Sequence, residues 1–251
     1  MSNKMTSIDS FLFQNCYSLV SIHLPDSCTS ISSFSFSNCS SLTSINLTNS
    51  LTLIDSSAFY SCHSLSLIKM PDGITTIGSS AFYDCISLTS VNISKNLTSL
   101  SSDAFSGCIN LKEFDVSDEN EKSKSISGVL FSKDEKQLIL YPVGKINQEY
   151  TIPDNVECIC SRSFSNCNYL TSISILNKVT SIEIFAFYHC SSLSSVIISK
   201  SVTSIDSSAF SYCVSLTSFD MPDSVTSIGS SLFAHCTKLE SVNLSNNVNT
   251  I

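Results

Sequence analysis

Residues 202–224 read VTSIDSSAFSYCVSLTSFDMPDS, and at Val225 the same pattern begins again as VTSIGSSLFAHC. Most of the chain is a copy of this 23-residue stretch, and the cysteines mark the copies. Cys16, Cys39, Cys62, Cys85 and Cys108 stand 23 residues apart, as do Cys167, Cys190, Cys213 and Cys236. A Phe precedes each by three positions, at 13, 36, 59, 82, 105, 164, 187, 210 and 233, and a Leu follows each by three, from Leu19 to Leu239. A fixed period of roughly 20–50 residues is the sequence signature of stacked repeats, in which each coil shares its core with its neighbours.

Within one coil the pattern divides into pieces. In Leu88–Ser94, Val91 and Ile93 alternate with Ser90, Asn92 and Ser94, the period-2 sign of a half-buried strand. Pro25, Pro71, Pro153 and Pro222 follow such strands and turn the chain, because Pro has no N–H for a ladder. A short extended piece comes next, as in Val225–Ile228, and then a polar turn such as Asp206-Ser207-Ser208. Ala209, Phe210, Cys213 and Leu216 then lie at i, i+1, i+4 and i+7, a spacing that predicts a short helical segment with one apolar face.

The strand slot recurs at Leu24, Leu47, Met70, Ile93, Val116, Ile152, Ile175, Ile198, Met221 and Leu244, which predicts about ten coils in a single domain spanning 1–251. One step, from Val116 to Ile152, is 36 residues. This extended coil, 117–151, lacks the Phe-x-x-Cys segment. In its place stands 127–142, SGVLFSKDEKQLILYP, whose apolar runs Val129–Phe131 and Leu138–Tyr141 flank a charged tip at Lys133–Lys136, a hairpin signal. Fourteen of the 34 Asp, Glu, Lys and Arg residues fall between Lys112 and Glu149, so this coil is expected to project into solvent, as a surface insertion or a partner-binding projection. The C-terminal coil reads as truncated, with Ile251 in the slot of Ile228. Met5 takes the slot of Val225, and the two ends read as uncapped, which predicts a piece of a longer array, a truncated gene product, or a chain that stacks on a partner, including end-to-end self-association.

Composition narrows the function classes. Charged residues are only 14%, and the polar surface comes instead from Ser and Thr, 75 of 251 residues. A net charge of −8 is unsuited to nucleic acid, whose phosphates need clustered Lys and Arg. No stretch approaches the ~20 apolar residues of a transmembrane helix, and MSNKMTSIDS carries no apolar run of a secretory signal. The periodic Cys are read as free, buried thiols filling one inward slot per coil. Neighbouring coils would hold them at least ~4.8 Å apart, whereas a disulfide needs converging Cβ atoms.

The pattern L-x-x-V-x-[IM]-P-x-x-V-T-x-I-x-x-x-A-F-x-x-C, carried by Met221–Gly229 with Phe233 and Cys236, resembles the BspA-like leucine-rich repeats of bacterial and protist surface proteins. The insert GVLFSKD…LILYP resembles a hairpin coil within such arrays. The resemblance implies an α/β fold: a curved, right-handed leucine-rich-repeat solenoid with a parallel β-sheet on one face and the short helical segments on the other. It also implies adhesion to host or matrix proteins, at the cell surface.

The outward strand positions are therefore the candidate protein-binding residues: Ser21, His23, Ser44, Asn46, Lys69, Ser90, Asn92, Glu113, Asp115, Ser172, Ser174, Ser195, Asp220, Ser241 and Asn243. No catalytic residue, metal ligand or cofactor is expected. The sequence holds no G-x-S-x-G, no phosphate-cradling Gly loop and no H-E-x-x-H. His189 and His235 share a slot two coils apart, too far for one ion, and His63 reads as a rim residue. Cys158-x-Cys160 has no second pair at zinc-site spacing. The expectation is a non-enzymatic protein-binding repeat protein. Its rivals are an intracellular, cytoplasmic scaffold of the same fold, favoured by the missing export signal, and a fragment of a longer array.

Overall fold

The computed structural model describes residues 5–176 and 178–248. The chain packs as two compact units, one ending at Gly128 and one beginning at Val129. Each unit is a β-solenoid with two rows of short parallel strands. In the first unit, one row consists of Ser7–Ile8, Ser30–Ile31, Leu53–Ile54, Thr76–Ile77 and Ser99–Leu100. They pair in register, so that Ile8, Ile31, Ile54, Ile77 and Leu100 form one column. The other row holds Ser21–His23 paired with Ser44–Asn46, and Ile68–Lys69, Ser90–Ile93 and Glu113–Val116 paired in series. The second unit repeats this with Cys158–Ile159, Ser181–Ile182, Ser204–Ile205 and Ser227–Ile228 in one row. Its other row holds Glu149–Thr151, Ser172–Ile175 and Ser195–Ile198, with Ser218–Asp220 paired to Ser241–Asn243.

The short extended piece of each coil is thus a second strand row. Its two-residue strands suffice because each borrows its ladder from the coils on either side. Side chains reinforce this. Thr29, Thr52, Thr75 and Thr98 each donate the Oγ1 hydroxyl to the carbonyl of the residue 23 positions earlier, at 3.1–3.3 Å. The same column runs through Thr180, Thr203 and Thr226. Much of the Ser/Thr richness is in this way committed to stitching coil to coil.

The core is built of columns. Phe13, Phe36, Phe59, Phe82 and Phe105 stack with ring centroids 5.2–5.3 Å apart. Phe164, Phe187, Phe210 and Phe233 do so in the second unit, at 4.9–6.1 Å. Beside them seven of the nine periodic thiols donate to the carbonyl of the Phe one coil earlier, as Cys62 to Phe36 at 3.1 Å and Cys85 to Phe59 at 3.2 Å. All twelve cysteines are free. Burial pushes the Cys39 thiol up to about 11, with Cys16 adding a smaller push.

No helix occurs among the described residues, and the expected helical segments are replaced by tight turns. The α/β class is therefore corrected to a β-solenoid. Ser208 and Tyr212 have φ of 56° and 62°, and the same two slots are left-handed in most of the other coils, for example Ser57 and Ser61, both at 54°. Donors alternate along the segment. Ser208, Phe210 and Tyr212 send their N–H to the next coil, to Ser230, Leu232 and Ala234. Ala209, Ser211 and Cys213 send theirs three residues back, to Asp206, Ser208 and Phe210. The apolar spacing fits a helix face, but the stack does not admit a helix. Packed helices need about 8–10 Å between axes, whereas the Phe columns repeat at about 5 Å.

The long coil contains an antiparallel hairpin, Val129–Ser132 with Gln137–Leu140. It does not project as expected. Val129, Leu130, Phe131 and Leu138 are buried, and Gln137–Leu140 pairs in parallel with Cys158–Ile159, continuing the row. Only the tip around Lys133–Lys136 reaches solvent. Tyr141 fills the Phe slot, 4.9 Å from Phe164, and donates its N–H to Ser163 O as Phe59 does to Ala81 O in its next coil. The truncated-coil residues Thr250 and Ile251 lie outside the described residues.

Candidate functional site

Strand alternation turns one side chain in two outward, and parallel register aligns those side chains into ruled columns. In the first unit Ser21 lies beside Ser44, and His23 beside Asn46. Lys69, Asn92 and Asp115 form one column, and Ser90 and Glu113 another. All are exposed except Ser90 and Asn92, which are half-buried. In the second unit Ser172 lies beside Ser195, and Asp220 beside Asn243, whose Nδ2 donates to Asp220 Oδ1. Ser174 is half-buried beside Ile197, and Ser241 is exposed beside Ser218.

Five of these residues converge. Lys69, Ser90, Asn92, Glu113 and Asp115 line a groove of about 530 Å³ with Leu67, Phe114, Ser125 and Gly128. Gly128, at φ 80°, closes one end. A Cβ there would come within 2.8 Å of Glu113 Cβ, so only glycine lets the chain lie this close to the strand. Phe114 donates its N–H to Gly128 O at 2.9 Å, which fixes the approach. Lys69 also borders a second hollow of about 360 Å³, lined by Asp26, Asn46, Thr48 and Pro71 among others. The larger groove therefore carries two carboxylates, one ammonium and an apolar patch.

Two exposed apolar residues of this face were not among the sequence candidates, nor were the polar Glu149, Thr151 and Ser218 in the same slots. Leu67, 63% exposed, holds the outward slot of Ser44 and Ser90, and Ile197, 57% exposed, holds that of Ser174 and Asp220. Counting in steps of 23 finds both. They escape a search for polar residues because an apolar residue on a strand is ordinarily read as core.

The three histidines outside the strand face lie on turns. His63 Nε2 lies 3.1 Å from Asp84 Oδ2. His189 and His235 flank Tyr212 in a surface stack, with centroids 5.1 and 4.2 Å from it. Among the described residues, one group brings three metal-type donors together: Cys158, Cys160 and Glu183. A hydrogen bond from Cys160 holds the Cys158 thiol below the usual range, and the same bond, with burial, pushes Cys160 up.

Two parallel strand rows, columns of Phe and Cys, and an outward face of ruled side chains define a leucine-rich-repeat β-solenoid. The chain belongs to the BspA type leucine-rich repeat family, whose model matches residues 6–136 and 144–251 in six copies. Among similar solved structures is a leucine-rich repeat protein from Eubacterium ventriosum, 26% identical over 96% of this chain and 70% of that one, with a TM-score of 0.83. A leucine-rich cell surface protein from Faecalibacterium prausnitzii is 30% identical over 99% and 73%, with a TM-score of 0.76. The pneumococcal vaccine antigen PcpA is 27% identical over 97% and 68%, with a TM-score of 0.81. No curated protein matches the chain. No helix among the described residues is long and apolar enough to cross a membrane.

Proposed function

We propose that this chain is a non-enzymatic protein-binding module that contacts host or matrix proteins through its outward strand face. The carrying observation is the groove at Leu67, Lys69, Ser90, Asn92, Glu113 and Asp115, where ruled columns of side chains meet a concave, partly apolar surface. Concavity with a few convergent polar groups is how proteins hold a ligand segment. Two carboxylates against one ammonium favour a partner with basic residues beside an apolar one. The non-enzymatic reading is supported by the use of hydroxyls and thiols that could serve as nucleophiles. The Thr columns and the periodic Cys are bonded to backbone carbonyls. The cell surface protein and the vaccine antigen among its relatives support the adhesion class.

The test is solid-phase binding of the whole chain to a panel of matrix proteins, comparing wild type with Leu67→Asp and Asp115→Lys. Saturable binding that falls at least tenfold in both variants supports the reading. Binding that is absent, or equal in wild type and variants, overturns it.

A further inference from the structure

Cys158 and Cys160 depart from the repeat. The slot of Cys158 holds Ser181, Ser204 and Ser227 in the following coils, and that of Cys160 holds Glu183, Asp206 and Gly229. One coil thus puts two thiols where its neighbours put hydroxyl and carboxylate. Residues i and i+2 of a strand share a face. Ile159 between them is buried in the core, while both cysteines are only partly buried. Cys158–Ile159 pairs in register with Ser181–Ile182, which brings Glu183 alongside Cys160.

The carboxylate is held in place. Glu183 Oε2 accepts the N–H of Ser161 at 2.8 Å, and Oε1 accepts the Cys158 thiol at 3.2 Å. The two sulfurs and the carboxylate oxygen all lie within 4.8 Å of one another. A tetrahedral zinc with bonds of about 2.3 Å to sulfur and 2.0–2.2 Å to oxygen sets its ligand atoms roughly 3.5–3.8 Å apart. The Cys158–Glu183 pair stands at 3.2 Å and no pair exceeds 4.8 Å, so the cluster brackets that spacing. Two thiolates and a carboxylate also offer the charge and softness that zinc takes, unlike magnesium or calcium.

We propose that Cys158, Cys160 and Glu183 form a zinc site on the flank of the second unit, with the fourth coordination position open to solvent. On binding, two S–H bonds break and two S–Zn bonds form. Two protons leave to solvent, and Glu183 exchanges its thiol hydrogen bond for the metal. A C-x-C motif without a second pair is insufficient by itself, and the stack supplies the third ligand from the next coil.

The test uses the whole chain, reduced and freed of metal, titrated with zinc against a coloured chelator. Cobalt(II) serves as a spectroscopic stand-in. Expected are one zinc per chain, two protons released, and a cobalt complex with a thiolate charge-transfer band and tetrahedral visible bands. Cys158→Ser with Cys160→Ser abolishes both signals, and Glu183→Gln weakens binding at least tenfold. Cys16→Ser, at a half-buried thiol elsewhere, changes nothing. The double variant places at 158 and 160 a residue that the same slots already hold at Ser181 and Ser32. Absence of micromolar binding by wild type, or unchanged stoichiometry in the double variant, overturns the site. A second measurement needs no variant: zinc shields Cys158 and Cys160 from alkylation, read by peptide mass spectrometry, and equal labelling with and without zinc overturns the site as well.

Discussion

Tyr141 shows what one atom costs in a column. It occupies the slot that Phe holds in the regular coils, and its hydroxyl is buried with no hydrogen-bond partner among the described residues. Desolvation without a partner is unfavourable by roughly 1–3 kcal/mol. Tyr141→Phe therefore stabilises the chain by about 1 kcal/mol, measured as a shift in urea midpoint without a change in slope. Asp103 is the opposite case. Burial disfavours its charge, but hydroxyl donors Ser101, Ser79 and Ser80 and the Ser80 N–H outweigh it and hold the carboxyl below its ordinary value of 3.8. A folded pKa below the unfolded one contributes stability that is complete above the unfolded value and lost as pH falls through the folded one. Asp103→Asn should lower stability at neutral pH and flatten the acid limb of the stability profile. Parallel acid limbs for the two proteins, followed by denaturant titration from neutral pH to about 3, would contradict this.

At the scale of the element, the back turn is the part least like its sequence. Six residues with a helix-like apolar spacing form alternating turns, because half of their N–H groups are drawn to the next coil. Ser61 is one hinge of this arrangement, with φ at 54° and its N–H on Tyr83 O at 2.8 Å. Gly107 holds the equivalent slot two coils on, at φ 77°. Ser61→Gly should leave stability unchanged or raise it by up to about 1 kcal/mol, since glycine takes positive φ without the Cβ penalty. Ser61→Pro removes the donor and forbids the angle, and should cost about 3 kcal/mol or more. Thermal unfolding of the pair checks both. If the segment were helical, the glycine variant would be destabilising as well, by about 0.5–1 kcal/mol.

For the whole molecule, what matters is that each coil lends its neighbours half a core. Phe82 is fully buried between Phe59 and Phe105, at 5.2 and 5.3 Å. Phe82→Ala should cost roughly 3–5 kcal/mol. Hydrogen exchange should quicken in the coils on both sides as well as in its own, because stability in a stack is shared between nearest neighbours. Loss of protection confined to one coil would argue against a shared core.

Much of this was legible by counting. The 23-residue period identifies the stacked columns of Phe, Cys and Leu, the outward strand slots and the count of coils. A repeat states its own contacts: residue i meets i+23, so Leu67, Ile197 and the meeting of Cys160 with Glu183 follow from arithmetic once the strands are known to run parallel and in register. Three things depended on the tertiary structure. The back of the coil is turn and not helix, since coil spacing and not local propensity selects the backbone there. The hairpin is core and not projection, because Gln137–Leu140 joins the strand row. The groove exists because Gly128 brings the chain down beside Glu113, a close approach that no periodicity encodes.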